Sequence, residues 1–280
     1  MKKIVFAITA GLLSITTVHA NAADEKVIAI IDTEIDSSRF SNIIYEVCIV
    51  SDKTCNNNTN FQEGKGSANI SDWKIRNAGH GHKVVYTANQ IDSNVKIVFI
   101  RVAGTKYNAS AVSLPSIENA SKWIVDNYAK YSIDAVSISL STVVPGCRVS
   151  NLFDQSVQSL LYANIPVFAG AGNSGNKSAI GWPACAPSVY SVGSLIGDER
   201  IAPISSGGAS AKIMSRICLS FKSPVYCNDV PDHAGILRST QGTSISAPIA
   251  AVTLLSQWNG EPWSQLVSSL SSKDGYKIVR

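Results

Sequence analysis

Five short, mostly apolar runs, Val27 to Ile31, Val95 to Val102, Asp134 to Leu140, Ile165 to Gly170 and Val189 to Val192, constrain this chain most. Runs of this length and character read as parallel strands buried on both faces. Helical patterns separate them. Leu114 to Tyr131 carries Ile117, Ala120, Trp123, Ile124 and Tyr128 at helical spacing, and Leu152 to Ala163 carries Leu152, Phe153, Val157, Leu160 and Leu161. Strands alternating with helices predict a three-layer α/β/α fold with a mainly parallel central sheet. In such a fold a functional site lies beyond the carboxyl ends of the strands.

The amino-terminal segment reads differently. Met1-Lys2-Lys3 precedes an apolar stretch from Ile4 to Ile15 and a small-x-small end, Val18-His19-Ala20, the pattern of a secretory signal peptide over residues 1–20. Ala20-Asn21-Ala22 offers a second cleavage point, up to residue 23, and a retained anchor is the competing account. The apolar stretch is too short to span a bilayer, and no later stretch approaches that length. Removing residues 1–20 takes two lysines and no acids, so Lys+Arg falls from 24 to 22 against 20 Asp+Glu and the net charge from +4 to +2. That balance gives no reason to expect nucleic acid or a membrane surface as partner of the mature chain.

The remaining length suits one large domain, 24–280, and is too short for two comfortable ones. No internal repeat or low-complexity linker divides it. All six cysteines (Cys48, Cys55, Cys147, Cys185, Cys218, Cys227) follow the signal segment, and an even count in an exported chain favours disulfides. Proximity in sequence suggests Cys48–Cys55 and Cys218–Cys227, leaving Cys147–Cys185 as a longer tie. Zinc is the rival use, but no C-x-x-C pair occurs. Cys48 to Gly66 is polar and turn-rich, a surface excursion read as a disulfide-tied hairpin, and Ser205 to Ser239 reads as irregular.

Four segments carry chemistry. Gly242-Thr243-Ser244-Ile245-Ser246-Ala247-Pro248 sets a serine at the start of an apolar helix, where free backbone N–H groups and the helix dipole favour developing negative charge. Thr243 and Ser246 supply candidate capping oxygens. Asp32 directly follows the strand Val27 to Ile31; its bland alternative is capping the next turn. Of the four histidines, His19 lies in the signal segment. His80 lies in Gly79-His80-Gly81 at the entry to a helix, placed to serve as a base. His82 is turned about 200° away on that helix, and His233 reads as a solvated loop residue. A His-x-His metal pair competes for His80 and His82, but no carboxylate or cysteine lies close by in sequence. Asn173, in Ala171-Gly172-Asn173 after another strand, is either a turn residue or an amide donor to an oxyanion.

On these residues the chain resembles the subtilisin-like serine proteases. Ile31-Asp32-Thr33-Glu34-Ile35-Asp36 is similar to the family's Asp motif, Gly79-His80-Gly81 to its His motif, Ala171-Gly172-Asn173 to its oxyanion segment and Gly242 to Pro248 to its serine motif, in the family's order Asp, His, Ser. The resemblance runs from about Val27 to Leu270. It implies a subtilisin-like fold and peptide-bond hydrolysis through an acyl-enzyme, with Ser244 as nucleophile, His80 as base, Asp32 orienting the imidazole and Asn173 at the oxyanion. It further implies a substrate-pairing edge at Ser139, Leu140 and Ser141, a pocket wall at Ala169, Gly170 and Ala171, and a pocket floor at Gly181 with room for a large apolar side chain.

The chain also departs from the family pattern. Glu34 replaces a glycine, which predicts a changed turn or a strained backbone. His82 and Lys83 replace Thr and His, which predicts the loss of a supporting contact. Ser141 and Thr142 replace glycines, which predicts a narrower cleft, and the cysteine-bearing stretch Ala211 to Asn228 replaces the family's loop before the nucleophile. The first strand begins a few residues after the signal, leaving no room for a propeptide. In this the chain is similar to toxin-like members such as the subtilase cytotoxin's catalytic subunit. That likeness implies narrow substrate choice and a delivery or binding subunit as partner; a catalytically impaired binding protein is the alternative. Calcium is common in the family, yet none of its calcium loops can be matched here, so no metal or cofactor is assigned.

Overall fold

A computed structural model describes residues 25–69, 79–105, 111–144, 147, 150–197, 199–223, 226–232 and 234–280. The signal segment and His233 lie outside the described residues. In chain order the elements are β1 (Val27–Asp32), β2 (Ile43–Ile49), β3 (Phe61–Glu63), α1 (His80–Ile91), β4 (Lys96–Arg101), β5 (Ala103–Gly104), β6 (Ala111–Val112) and α2 (Leu114–Tyr131). There follow β7 (Ala135–Ile138), α3 (Asn151–Tyr162), β8 (Val167–Gly170), β9 (Tyr190–Leu195), β10 (Ile213–Arg216), β11 (Phe221–Ser223), β12 (Tyr226–Cys227), β13 (Asp229–Pro231), β14 (Leu237–Ser239), α4 (Thr243–Gln257), α5 (Trp263–Ser269), β15 (Ser272–Lys273) and β16 (Tyr276–Ile278).

Among the described residues ten strands form one sheet in the order β15-β16-β10-β9-β8-β7-β1-β4-β2-β3. Pairing is parallel except at its two ends, where β3 and β15 run antiparallel to their neighbours. β1 lies inside, with Val27 to Asp32 opposite Lys96 to Arg101 on one side and Ile28 to Ile31 opposite Ala135 to Ile138 on the other. Side chains alternate across a strand, so Ile28 and Ile30 join Ile97, Phe99, α1 and α4 on one face. Val27, Ala29 and Ile31 join Val98, Ile100, α2 and α3 on the other. The architecture is therefore α/β with helices on both sides of a mainly parallel sheet.

The helices end where local chemistry ends them. The Ser113 hydroxyl accepts the Ser116 N–H at the start of α2, where Pro115 occupies the first turn, and Ser132 closes that helix in a left-handed conformation. The Ser150 hydroxyl does the same for α3 through Phe153 N–H. α4 is buried nearly all round, as expected of a helix without a polar face.

Three strand regions escape the sequence reading. β2 is only half-buried at its start, through Ile43 and Tyr45, and β10 lies inside the segment read as irregular. β16 continues the sheet beyond β10, with β15 as the edge strand. β10 and β16 are short, whereas β2, seven residues long, lacks the uninterrupted apolar run of the inner strands because Tyr45 and Glu46 break it. Within the same segment the described residues form two small antiparallel ribbons, β11–β12 and β13–β14.

The three disulfides are Cys48–Cys55, Cys147–Cys185 and Cys218–Cys227, with Cα atoms 5.9, 6.0 and 6.0 Å apart. The first ties the hairpin between β2 and β3. No described helix is long and apolar enough to cross a membrane. The sequence separations, 38 residues for Cys147–Cys185 against 7 and 9 for the others, set the order of their loop-closure effects. Replacing both cysteines of the long tie by alanine is expected to cost about 4 kcal/mol in denaturant unfolding, against about 2.5 kcal/mol for either short one. Equal losses for all three double variants would contradict this.

Candidate active site

Parallel strands send their carboxyl ends to one side, and the flagged residues gather there. Asp32 ends β1 fully buried, and its Oδ1 lies 2.7 Å from His80 Nδ1 while also accepting the Thr33 N–H at 2.6 Å. His80 is the first residue of α1, which follows Gly79 in a left-handed conformation, φ 75°. A Cβ on Gly81 would come within 2.7 Å of the Phe99 ring and 3.0 Å of the Thr33 and Glu34 carbonyl oxygens. With no side chain there, the first turn of α1 seats directly on the end of β1, and Gly81 N–H donates to Thr33 Oγ1 at 3.0 Å. The His80 side chain remains 31% exposed and faces a cavity of about 490 Å³.

Ser244, the second residue of α4, lines the same cavity. Thr243 N–H donates to Asn173 Oδ1 at 2.9 Å, and Ile245 and Ser246 N–H both donate to Gly242 O. The Ser244 N–H, one of the helix-start donors, has no acceptor among the described residues. Asn173 Oδ1 also accepts the Thr243 hydroxyl at 3.2 Å, and that hydroxyl in turn accepts Gly172 N–H at 3.0 Å. With its oxygen held by two donors, Asn173 has its amide NH₂ left for the cavity it lines. Thr243 and Ser246 therefore do not cap the helix as expected: Thr243 clamps Asn173, and Ser246 Oγ bonds Arg216 O and Ser194 Oγ beneath the helix. Gly242, at φ 130°, occupies the cap position with Asn173 packed against it.

Burial pushes the His80 imidazole towards its neutral form; the Asp32 charge and hydrogen bond outweigh this and hold it above its ordinary 6.5, while Lys83 opposes them. His82 points elsewhere, buried with its ring 4.7 Å from that of Phe40. His80 and His82 thus serve different environments and form no metal pair with each other. Among the described residues no group of three or more His, Cys, Asp or Glu is placed to hold a metal ion.

The structure relieves the concern raised by Glu34. Its backbone has no positive φ, and its fully buried carboxylate lies 3.9 Å from the fully buried Arg101 guanidinium. Arg101 also donates to the carbonyls of Ala103, Asn69 and Thr54, stitching the disulfide-tied excursion to the sheet. Burial lowers the guanidinium's hold on its proton, and Glu34 and Asp52 act against this.

Ser139, Leu140, Ser141 and Gly170 line the cavity with His80, Ser244 and Asn173. Ala169 and Ala171 instead turn their side chains into the core; Ala171 contributes its carbonyl, which accepts Gly181 N–H at 2.8 Å. Thr142 and Trp182 exchange two backbone hydrogen bonds of 2.9 Å, and the segments Ser141 to Val144 and Ala179 to Gly181 form walls of a second cavity of about 230 Å³. Ser141 lines both cavities. Its Oγ lies against the position a Gly181 Cβ would take, so the space expected above that glycine is filled by a hydroxyl. Thr33, Lys83, Val112 and Thr243 also line the first cavity and went unassigned in the sequence. Only Lys83 carried a usable signal, its position one helical turn from His80. A larger cavity of about 850 Å³ at the opposite end of the sheet, beside Lys26, Lys96 and Trp258, contains none of the flagged residues.

An imidazole bonded through one nitrogen to a buried carboxylate, a hydroxyl at a helix start and two N–H donors beside it are the parts that acyl transfer requires. Comparison with known proteins gives the same class. The family model described as subtilase, peptidase S8, matches residues 23–274. Subtilisin DY of Bacillus licheniformis is 27% identical over 212 residues, 69% of each chain. Subtilisin E of Bacillus subtilis is 24% identical over 147 residues, 49% of this chain and 36% of that protein. Among solved structures, a lanthipeptide protease superposes with a TM-score of 0.67 at 18% identity, covering 91% of this chain and 85% of that one. A cold adapted subtilisin-like serine proteinase gives 0.64 at 19%, covering 90% and 87%. The fold is thus subtilisin-like, and the chain belongs to the subtilase family of serine endopeptidases, whose substrates are proteins or peptides.

Proposed function

We propose that this chain is an exported endopeptidase, a single peptidase domain over 24–280 behind a signal peptide, that cleaves through Asp32, His80 and Ser244. Ser244 Oγ attacks the carbonyl carbon of the scissile bond as His80 Nε2 takes its proton. The tetrahedral oxyanion is held by the Ser244 N–H and the Asn173 amide. Collapse breaks the C–N bond, and His80 returns the proton to the leaving amine; water then enters by the same route in reverse and releases the acid. Asp32 keeps the Nδ1 proton in place so that Nε2 is the basic nitrogen. The carrying observation is the 2.7 Å contact between His80 Nδ1 and buried Asp32, on a cavity that Ser244 and Asn173 share. The Ser244 hydroxyl is not hydrogen-bonded to the imidazole here, and such bonds commonly tighten only when substrate binds.

The substrate backbone pairs with the Ser139-Leu140-Ser141 edge, and its side chain before the cleaved bond enters past Ser141. The Ser141 hydroxyl over Gly181 narrows that entrance, which favours small side chains and few substrates. Three disulfides and the signal pattern support an oxidising destination, secreted or periplasmic.

A fluorophosphonate probe is expected to label the folded, oxidised protein at Ser244, and Ser244→Ala to abolish both labelling and cleavage; an unlabelled wild type sinks the reading. Since His80 works as neutral base and its pKa is raised, kcat/KM is expected to fall as pH drops through a midpoint above 6.5. In Asp32→Asn the residual activity should show that midpoint moved downward, because the charge that raises it is gone; an unmoved acid limb argues against the pair. Ser141→Gly is expected to raise kcat/KM for Phe relative to Ala before the cleaved bond by about tenfold, roughly 1.4 kcal/mol. An unchanged Phe/Ala ratio removes Ser141 from the specificity argument.

A further inference from the structure

Lys83 stands one turn along α1 from His80 and lines the same cavity, beside Val112 and Leu140. Three residues advance an α-helix by about 4.5 Å and bring two side chains to one face. The Lys83 ammonium therefore belongs to the cleft side of α1. It is half-buried, and it enters no ion pair among the described residues. No acidic side chain lines this cavity among the described residues; Asp32, fully buried behind His80, is already engaged by it. A cation beside the apolar side chains of this cleft, with no carboxylate among the described lining residues to meet it, is complementary to an anionic group on a ligand. Its field also reaches His80, whose proton affinity it lowers.

We infer that Lys83 determines specificity by receiving the carboxylate of a substrate Asp or Glu close to the scissile bond, so that the enzyme selects acidic segments of its protein substrates. An extended peptide advances about 3.3 Å per residue, which confines the contact to within about two residues of that bond. With a mature net charge of only +2 by the count above, long-range attraction is weak and the selection is local. The inference rests on the proposed roles of Ser244, His80 and Asp32.

Its test uses the full oxidised protein. Peptides built on sites that the wild type cleaves in an unbiased peptide library are made in Glu/Gln/Lys sets at each of the two positions on either side of the bond. At one position the wild type is expected to prefer Glu over Gln by about 3- to 10-fold in kcat/KM, the range of a partly screened ion pair. The difference should sit mainly in KM and shrink with added salt. In Lys83→Met the Glu/Gln ratio falls to about one, and in Lys83→Glu the Lys peptide overtakes the Glu peptide. Each ratio is internal to one variant, so a poorly folding sample does not distort it. A flat Glu/Gln ratio in a wild type whose Ser244 is labelled by fluorophosphonate overturns this inference alone, as does a preference that survives in Lys83→Met. A wild type that is neither labelled nor active overturns the proposed function and this inference with it.

Discussion

Burial of β1 on both faces is the constraint from which the site follows. With Ile28 and Ile30 committed to one layer of helices and Val27, Ala29 and Ile31 to the other, the strand has no solvent face. It meets water only at its ends. Its neighbours β4 and β7 run parallel to it, so Asp32, Arg101 and Ser139 all emerge at the same edge. A polar group at that edge loses most of its hydration unless partners supply hydrogen bonds. Asp32 finds the Thr33 N–H and the His80 ring, and Arg101 finds three carbonyls and Glu34. The same burial that stabilises the sheet thereby creates the demand that these contacts meet.

Two helix starts answer that demand in different ways. α1 approaches β1 closely because Gly81 has no side chain, and its contact with Thr33 locks the angle at which His80 faces Asp32. α4 is a core helix whose first turn is tied to distant segments: Asn173 takes the Thr243 N–H, and the helix's own Ser246 hydroxyl donates to the carbonyl of Arg216. These contacts consume the donors around Ser244 but not its own. The Ser244 N–H is the one left over at this helix start, the neighbouring Thr243, Ile245 and Ser246 N–H groups being already satisfied.

The substrate side of the cleft shows how a few side chains reshape a shared fold. Ser141 fills space beside Gly181, and the following segment is tied to the opposite wall by Thr142 and Trp182 and by Cys147–Cys185. A wall cross-linked in this way yields little when a larger side chain enters. Lys83 adds a charge to the other side of the cleft. Ser141 and Lys83 thus both shape the cleft that His80 and Ser244 line.

The layered α/β class, the helices α2 and α3 to within a residue at each end, and the placement of Asp32, His80, Asn173 and Ser244 at strand ends or helix starts were legible in the residues alone. These are local matters of periodicity and motif, and the residues that cause them are neighbours in the chain. Even the disulfide pairing was legible from spacing. That β2, β10 and β16 extend the sheet emerges only from tertiary pairing: β10 and β16 are too short to stand out, and Tyr45 and Glu46 break the apolar run of β2. The tertiary structure likewise decided that Glu34 is relieved by Arg101 instead of straining its turn, that Thr243 clamps Asn173 instead of capping α4, and that Ser141 occupies the space above Gly181. Each outcome depends on which distant atom arrives within hydrogen-bond or van der Waals distance, and spacing along the chain does not encode that meeting.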